Sequence, residues 1–184
     1  MSAYATVREA FYSGAFDFTG DPRTVRDIAF LVDENYLELT TFPIASRKEY
    51  EDTLRLLERP AEGYEAAGGS AAHVALKQLT ARYLQTVRKL KIKYEHPFCG
   101  YYPDVLTVEA RVVAECGHTN NPEKMLAYFR QGDIEECILV PYPDFEAETV
   151  FAHSFTALPN LKDFLIFWEQ EKHTALQTKL KGSS

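Results

Sequence analysis

The chain has 184 residues, 46% apolar and 13% aromatic, which is enough to bury a core and excludes disorder as the global state. Its net charge of −7 counts against strong non-specific nucleic-acid binding, because an acidic surface repels phosphate. No uncharged apolar run reaches the roughly 18 residues of a membrane span, the N-terminus lacks a basic stretch followed by an apolar one, and the three cysteines read as reduced thiols, so a cytoplasmic protein without a membrane anchor is expected.

Residues 15–41 read as β structure. Phe16-Asp17-Phe18 alternates, and two apolar runs, Ile28-Ala29-Phe30-Leu31-Val32 and Tyr36-Leu37-Glu38-Leu39-Thr40, flank the turn residues Asp33-Glu34-Asn35 as in a hairpin. Ser46-Arg47-Lys48-Glu49 has the form of a capping box, in which the Ser46 hydroxyl accepts the Glu49 amide and the Glu49 carboxylate reaches back. Tyr50, Leu54 and Leu57 follow at helical spacing, so a helix should run to about Arg59 and stop at Pro60. Residues 61–69 are small and Gly-rich, a loop. They separate a hairpin-and-helix extension over residues 1–65 from a core over residues 66–181, both expected within one compact domain.

Ser70 is a candidate cap for a helix with an apolar stripe at Leu76, Leu79, Tyr83, Val87 and Leu90. Three strands are expected next, over residues 91–97, 103–108 and 111–116, with a tight turn near Glu109 and Ala110 between the last two. Asn121 and Pro122 read as N-cap and first helical residue of a short helix that buries Met125, Leu126 and Phe129 and ends at Gly132. Cys137-Ile138-Leu139-Val140 is a continuous apolar run, typical of a strand covered on both faces. Residues 149–155 suggest one more strand, and a last helix from Asn160 should bury Phe164, Phe167 and Trp168.

One cluster has chemical logic. Asp104 opens one expected strand and Glu115 closes the next, so a hairpin would bring the two carboxylates together. With the Cys116 backbone carbonyl they form an oxygen-rich set suited to Mg²⁺ or Mn²⁺. A cation there would activate water and neutralise phosphate charge. No CxxC or His-x-x-x-His spacing indicates zinc.

Tyr102-Pro103-Asp104 followed by Ala114-Glu115-Cys116 resembles the motif of the PD-(D/E)XK, or restriction-endonuclease-like, nuclease superfamily. The resemblance covers about 75 of the 184 residues. It implies an α/β core of helix, three antiparallel strands, helix and a parallel fourth strand, and a Mg²⁺-dependent hydrolase acting on DNA phosphodiesters. Gly117 stands where the family has its lysine. Two side chains are candidates for the missing role: Lys124, in the first turn of the following helix, and His118, as a proton-transfer or cationic group. The family's helix-borne acid has only Glu65 and Gln78 as nearby candidates.

Lys77, Arg82, Arg88, Lys89, Lys91 and Lys93 lie in a stretch without acids, either a basic face for nucleic acid or an ordinary solvated one. The lead expectation is therefore a Mg²⁺-dependent nuclease, with or without reduced activity. The alternative is an inactive module of the same fold that binds nucleic acid or protein, with a homo-oligomer also open. His73, His96, His153 and His173 are expected in structural or solvent roles.

Overall fold

A computed structural model describes residues 3–11, 22–58, 70–119 and 121–181. Among them the chain forms six helices and six strands. The helices are α1 (Tyr4–Phe11), α2 (Pro22–Asp33), α3 (Arg47–Glu58), α4 (Ala71–Thr86), α5 (Glu123–Gln131) and α6 (Leu161–Lys181). The strands are β1 (Leu37–Ser46), β2 (Ile92–Tyr94), β3 (Val105–Thr107), β4 (Val112–Cys116), β5 (Glu136–Val140) and β6 (Thr149–Ala157).

The strands make one mixed sheet in the order β1-β6-β5-β4-β3-β2. β2, β3 and β4 pair antiparallel in sequence, β5 runs parallel to β4, and β6 runs antiparallel to both β5 and β1. The order helix, three strands, helix, strand over residues 71–140 is the one anticipated, and so is the direction of each of its strands.

The sheet is covered on both faces, which explains its long apolar runs. Along β4 the side chains alternate: Val113 joins one core with α1, α2, α5 and α6, while Val112, Ala114 and Cys116 join the other with α4. Val25, Ile28 and Leu31 of α2 and Tyr128 of α5 are fully buried in the first core, and Leu76 of α4 in the second. The edge strand β1 accommodates Pro43 at a register shift, where a missing N–H costs no ladder bond.

The expected hairpin over residues 28–40 is corrected. Its first half is the end of α2, in which Val25, Ile28 and Leu31 recur at helical spacing and turn inward while Arg26 and Phe30 face out. Only its second half is a strand, and that strand pairs with β6. Residues 16–18 lie outside the described residues.

Both serine caps form. Ser46 N–H donates to Glu49 Oε2 at 2.8 Å and the Glu49 N–H donates to Ser46 Oγ at 3.2 Å; at α4, the His73 N–H donates to Ser70 Oγ at 3.3 Å. The expected Asn121 cap does not: Pro122 takes the cap position with helical backbone and no side-chain cap bond. Val87 lies beyond the end of α4 and is exposed, as is Phe167, so α6 packs through Leu161 and Leu165 with Phe164 and Trp168 half-buried beside them.

Candidate active site

The start of β3 and the ends of β4 and β5 meet at one end of the sheet. Val105 pairs with Ala114, which places Asp104 and Glu115 one step further along the same strand pair. Asp104 is held from two sides: its Oδ2 accepts the Cys116 N–H at 2.7 Å and its Oδ1 lies 3.0 Å from His73 Nε2 on α4. Glu115 faces the other layer, where Lys124 Nζ and the Tyr128 hydroxyl, both on α5, donate to its Oε2 and Oε1 at 2.6 Å each. The two acids are sequence neighbours of one hairpin, yet their carboxylates engage different helices.

Their ionisation is pushed in opposite directions. Burial raises the Asp104 carboxyl, but the bonds from His73 and Cys116 and the charge of Lys77 outweigh it and leave it below the ordinary value. Burial dominates at Glu115, which is only 4% exposed, and holds its carboxyl above the ordinary value against Lys124 and Tyr128; the nearby Asp104 charge adds to the rise. The Tyr128 hydroxyl is pushed up by burial and by the Glu115 carboxylate, so it acts as a proton donor in a hydrogen bond and not as a phenolate. Burial likewise pushes up the thiols of Cys116 and Cys137, consistent with inert core cysteines.

Of the two candidates for the missing lysine, Lys124 is the one bonded to Glu115. His118 stands edge-on to the Tyr142 ring at 5.0 Å, and burial lowers its basicity. Gly117 itself has φ +75°, and a Cβ there would come within 2.8 Å of the Tyr142 ring. A lysine at that position would be strained by the backbone and would have to displace the Tyr142 ring. Gln78 is exposed on α4, and Glu65 lies outside the described residues.

The basic segment is only partly a face. Lys77 is removed from it: the residue is 5% exposed and ion-pairs with Glu95. Arg82 and Arg88 pair with Glu49 at 2.7 Å and Glu136 at 2.5 Å. Lys89, Lys91 and Lys93 are exposed.

Nothing in the sequence pointed to Glu95 or Tyr128, and it offered His73 only a structural or solvent role and Lys77 only a place on a basic face. His73 and Lys77 are four apart on one helix, and so must share a face. That spacing was visible, but nothing in it showed that the face would turn toward Asp104. Tyr128 sits in an apolar stripe and reads as core; its hydroxyl has meaning only once Glu115 is placed beneath it.

Among the described residues, no three His, Cys, Asp or Glu side chains converge as a cation-binding group. The polar set is two carboxylates at neighbouring positions, with an imidazole beside one of them. What the observations define is a mixed α/β protein with a buried two-acid cluster at one end of its sheet. No family model, no curated protein and no solved structure matches the chain.

Proposed function

We propose that the chain is a metal-dependent nuclease of the restriction-endonuclease-like type that hydrolyses DNA phosphodiester bonds. One observation carries the reading: Lys124 brings an ammonium to Glu115, 2.6 Å from Oε2, from the helix that follows the motif. That ammonium is the group Gly117 cannot supply. The order and pairing of α4 through β5 support the same reading.

Asp104 and Glu115 would hold Mg²⁺ or Mn²⁺, with the Cys116 carbonyl as a further donor. When bound, the cation supplies Lewis-acid stabilisation of the phosphate and lowers the pKa of an attacking water. The chain's own side chains do the rest. The Cys116 N–H fixes Asp104 through Oδ2 and leaves Oδ1, the oxygen shared with His73, to turn toward a ligand. Tyr128 fixes Glu115 through Oε1 in the same way and leaves Oε2 with Lys124. Lys124 is partly exposed, so it can exchange Glu115 for a phosphate oxygen and place its charge where negative charge develops. Exposed Lys93, midway along β2, is the candidate contact for the DNA backbone, whereas Lys89 and Lys91 lie toward the other end of the sheet, where the Val108 N–H donates to the Lys91 carbonyl.

A second reading, an inactive module of this fold that binds nucleic acid or a protein, is favoured by a different observation. All four carboxylate oxygens of Asp104 and Glu115 already have a protein partner. Calorimetric titration with Mn²⁺ separates the two. The nuclease reading predicts binding that is lost in Asp104→Ala; absence of binding by the intact chain replaces it with the module.

A further inference from the structure

α4 carries a second cation to the same end of the sheet. Lys77 lies one turn beyond His73, and its ammonium sits between two acids: it ion-pairs with Glu95 and lies 3.8 Å from Asp104 Oδ1. Glu95 follows β2 directly. Its N–H donates to the Asp104 carbonyl at 3.3 Å, so the two acids are neighbours across the β2–β3 pair. Like charges in that relation repel, and Lys77 offsets the repulsion.

The two partners of this ion pair differ in access. The Lys77 side chain is 6% exposed and that of Glu95 is 41% exposed. Glu95 also reaches Lys77 from a backbone at φ +44°, in the left-handed region that a non-glycine residue disfavours. Solvent therefore reaches the pair from the Glu95 side. The carboxylate is the replaceable partner, and the sealed ammonium is the fixed one.

We propose that Lys77 is a phosphate-binding group, and that the Glu95 carboxylate occupies its place until a phosphate displaces it. A phosphate oxygen is an anionic acceptor like a carboxylate oxygen, so the exchange leaves Lys77 paired. Release of Glu95 also leaves Asp104 and Glu115 formally balanced by Lys77 and Lys124, so an arriving phosphate no longer meets a third carboxylate. The proposal deepens the nuclease reading and rests on it only for naming the phosphate as one of DNA. Binding itself needs neither metal nor turnover.

The test is a titration of the full chain with inorganic phosphate, in metal-free buffer at constant ionic strength, followed by amide ¹H–¹⁵N shifts. Shifts should centre on Lys77, Glu95 and Asp104. Glu95→Gln should tighten binding about tenfold by removing the competing charge, Lys77→Arg should retain it, and Lys77→Met should abolish it. Should Lys77→Met fail to fold, Glu95→Asp decides: the shorter carboxylate withdraws from Lys77 and should also tighten binding. A folded Glu95→Gln protein that binds phosphate no more tightly than wild type overturns the proposal, as do shifts located elsewhere. Tighter binding in Glu95→Gln without metal-dependent cleavage by wild type keeps the phosphate site and removes the nuclease reading. Cleavage by wild type without tighter binding in Glu95→Gln does the reverse.

Discussion

Replacing Lys124 with methionine should destabilise the protein, and by an amount that depends on pH. Glu115 is 4% exposed and has two donors, Lys124 and Tyr128. Removing one partner of a buried ion pair typically costs about 3–5 kcal/mol. Here the Lys124 side chain is 20% exposed and the Tyr128 hydroxyl remains, so the cost should fall to about 2 kcal/mol near neutral pH. For a chain of this size that is roughly 4–8 °C in Tm. Glu115 already titrates above its ordinary value, and loss of Lys124 raises it further. A raised native pKa means that the folded state keeps a proton which the unfolded chain has released. The stability due to the neutral acid is complete below the unfolded value and is lost as pH rises through the folded one. The difference between variant and wild type should therefore be largest near pH 8 and shrink toward about pH 5. Taking that difference at each pH cancels the opposite contribution of Asp104, whose lowered pKa gives stability that is lost as pH falls. Urea unfolding followed by tryptophan fluorescence measures it. An equal cost at both pH values, or none near pH 8, would refute the assignment of Lys124 as the counter-ion of a buried carboxylate.

Gly117→Ala should cost about 2 kcal/mol or more, because it places a Cβ against Tyr142 at a backbone conformation of φ +75°; thermal unfolding reads the loss, and an unchanged Tm contradicts the packing described. Gly117→Lys meets the same strained backbone and the same ring, so it should cost stability as well. Tyr128→Phe removes a donor from a buried carboxylate and should cost about 1–3 kcal/mol near neutral pH, again less in acid, where Glu115 can take a proton.

The core order from α4 to β5 was legible because each element announces itself locally. Ser70 caps α4, Asn121-Pro122 marks the start of α5 to within one residue, and the run from Cys137 to Val140 is too apolar for anything but a doubly covered strand. The N-terminal region is ambiguous in sequence because its helical period starts before Ile28. Begun at Val25, the same residues show a helical period, whereas Ile28 to Val32 alone look like a β run. At the site, Asp104 and Glu115 were found because the hairpin carrying them is local in sequence. Their partners are 31 residues away at His73 and 13 away at Tyr128, and no local pattern encodes which helix will cover which acid. The basic stretch from Lys77 to Lys93 is opaque for the same reason: charge is visible in sequence, but the acids that pair with Lys77, Arg82 and Arg88 come from the loop after β2, from α3 and from β5.

The proposed activity of the Asp104–Glu115–Lys124 cluster is phosphodiester hydrolysis with a divalent cation. It is tested most directly by cleavage of a fluorescent DNA oligonucleotide in Mn²⁺ and in Mg²⁺, by wild type and by Asp104→Asn, Glu115→Gln and Lys124→Met proteins shown to be folded. The account predicts metal-dependent cleavage by wild type, abolished in the two acid variants and reduced at least about a hundredfold without Lys124. Cleavage that survives Asp104→Asn, or a wild type inert with both cations, would contradict it.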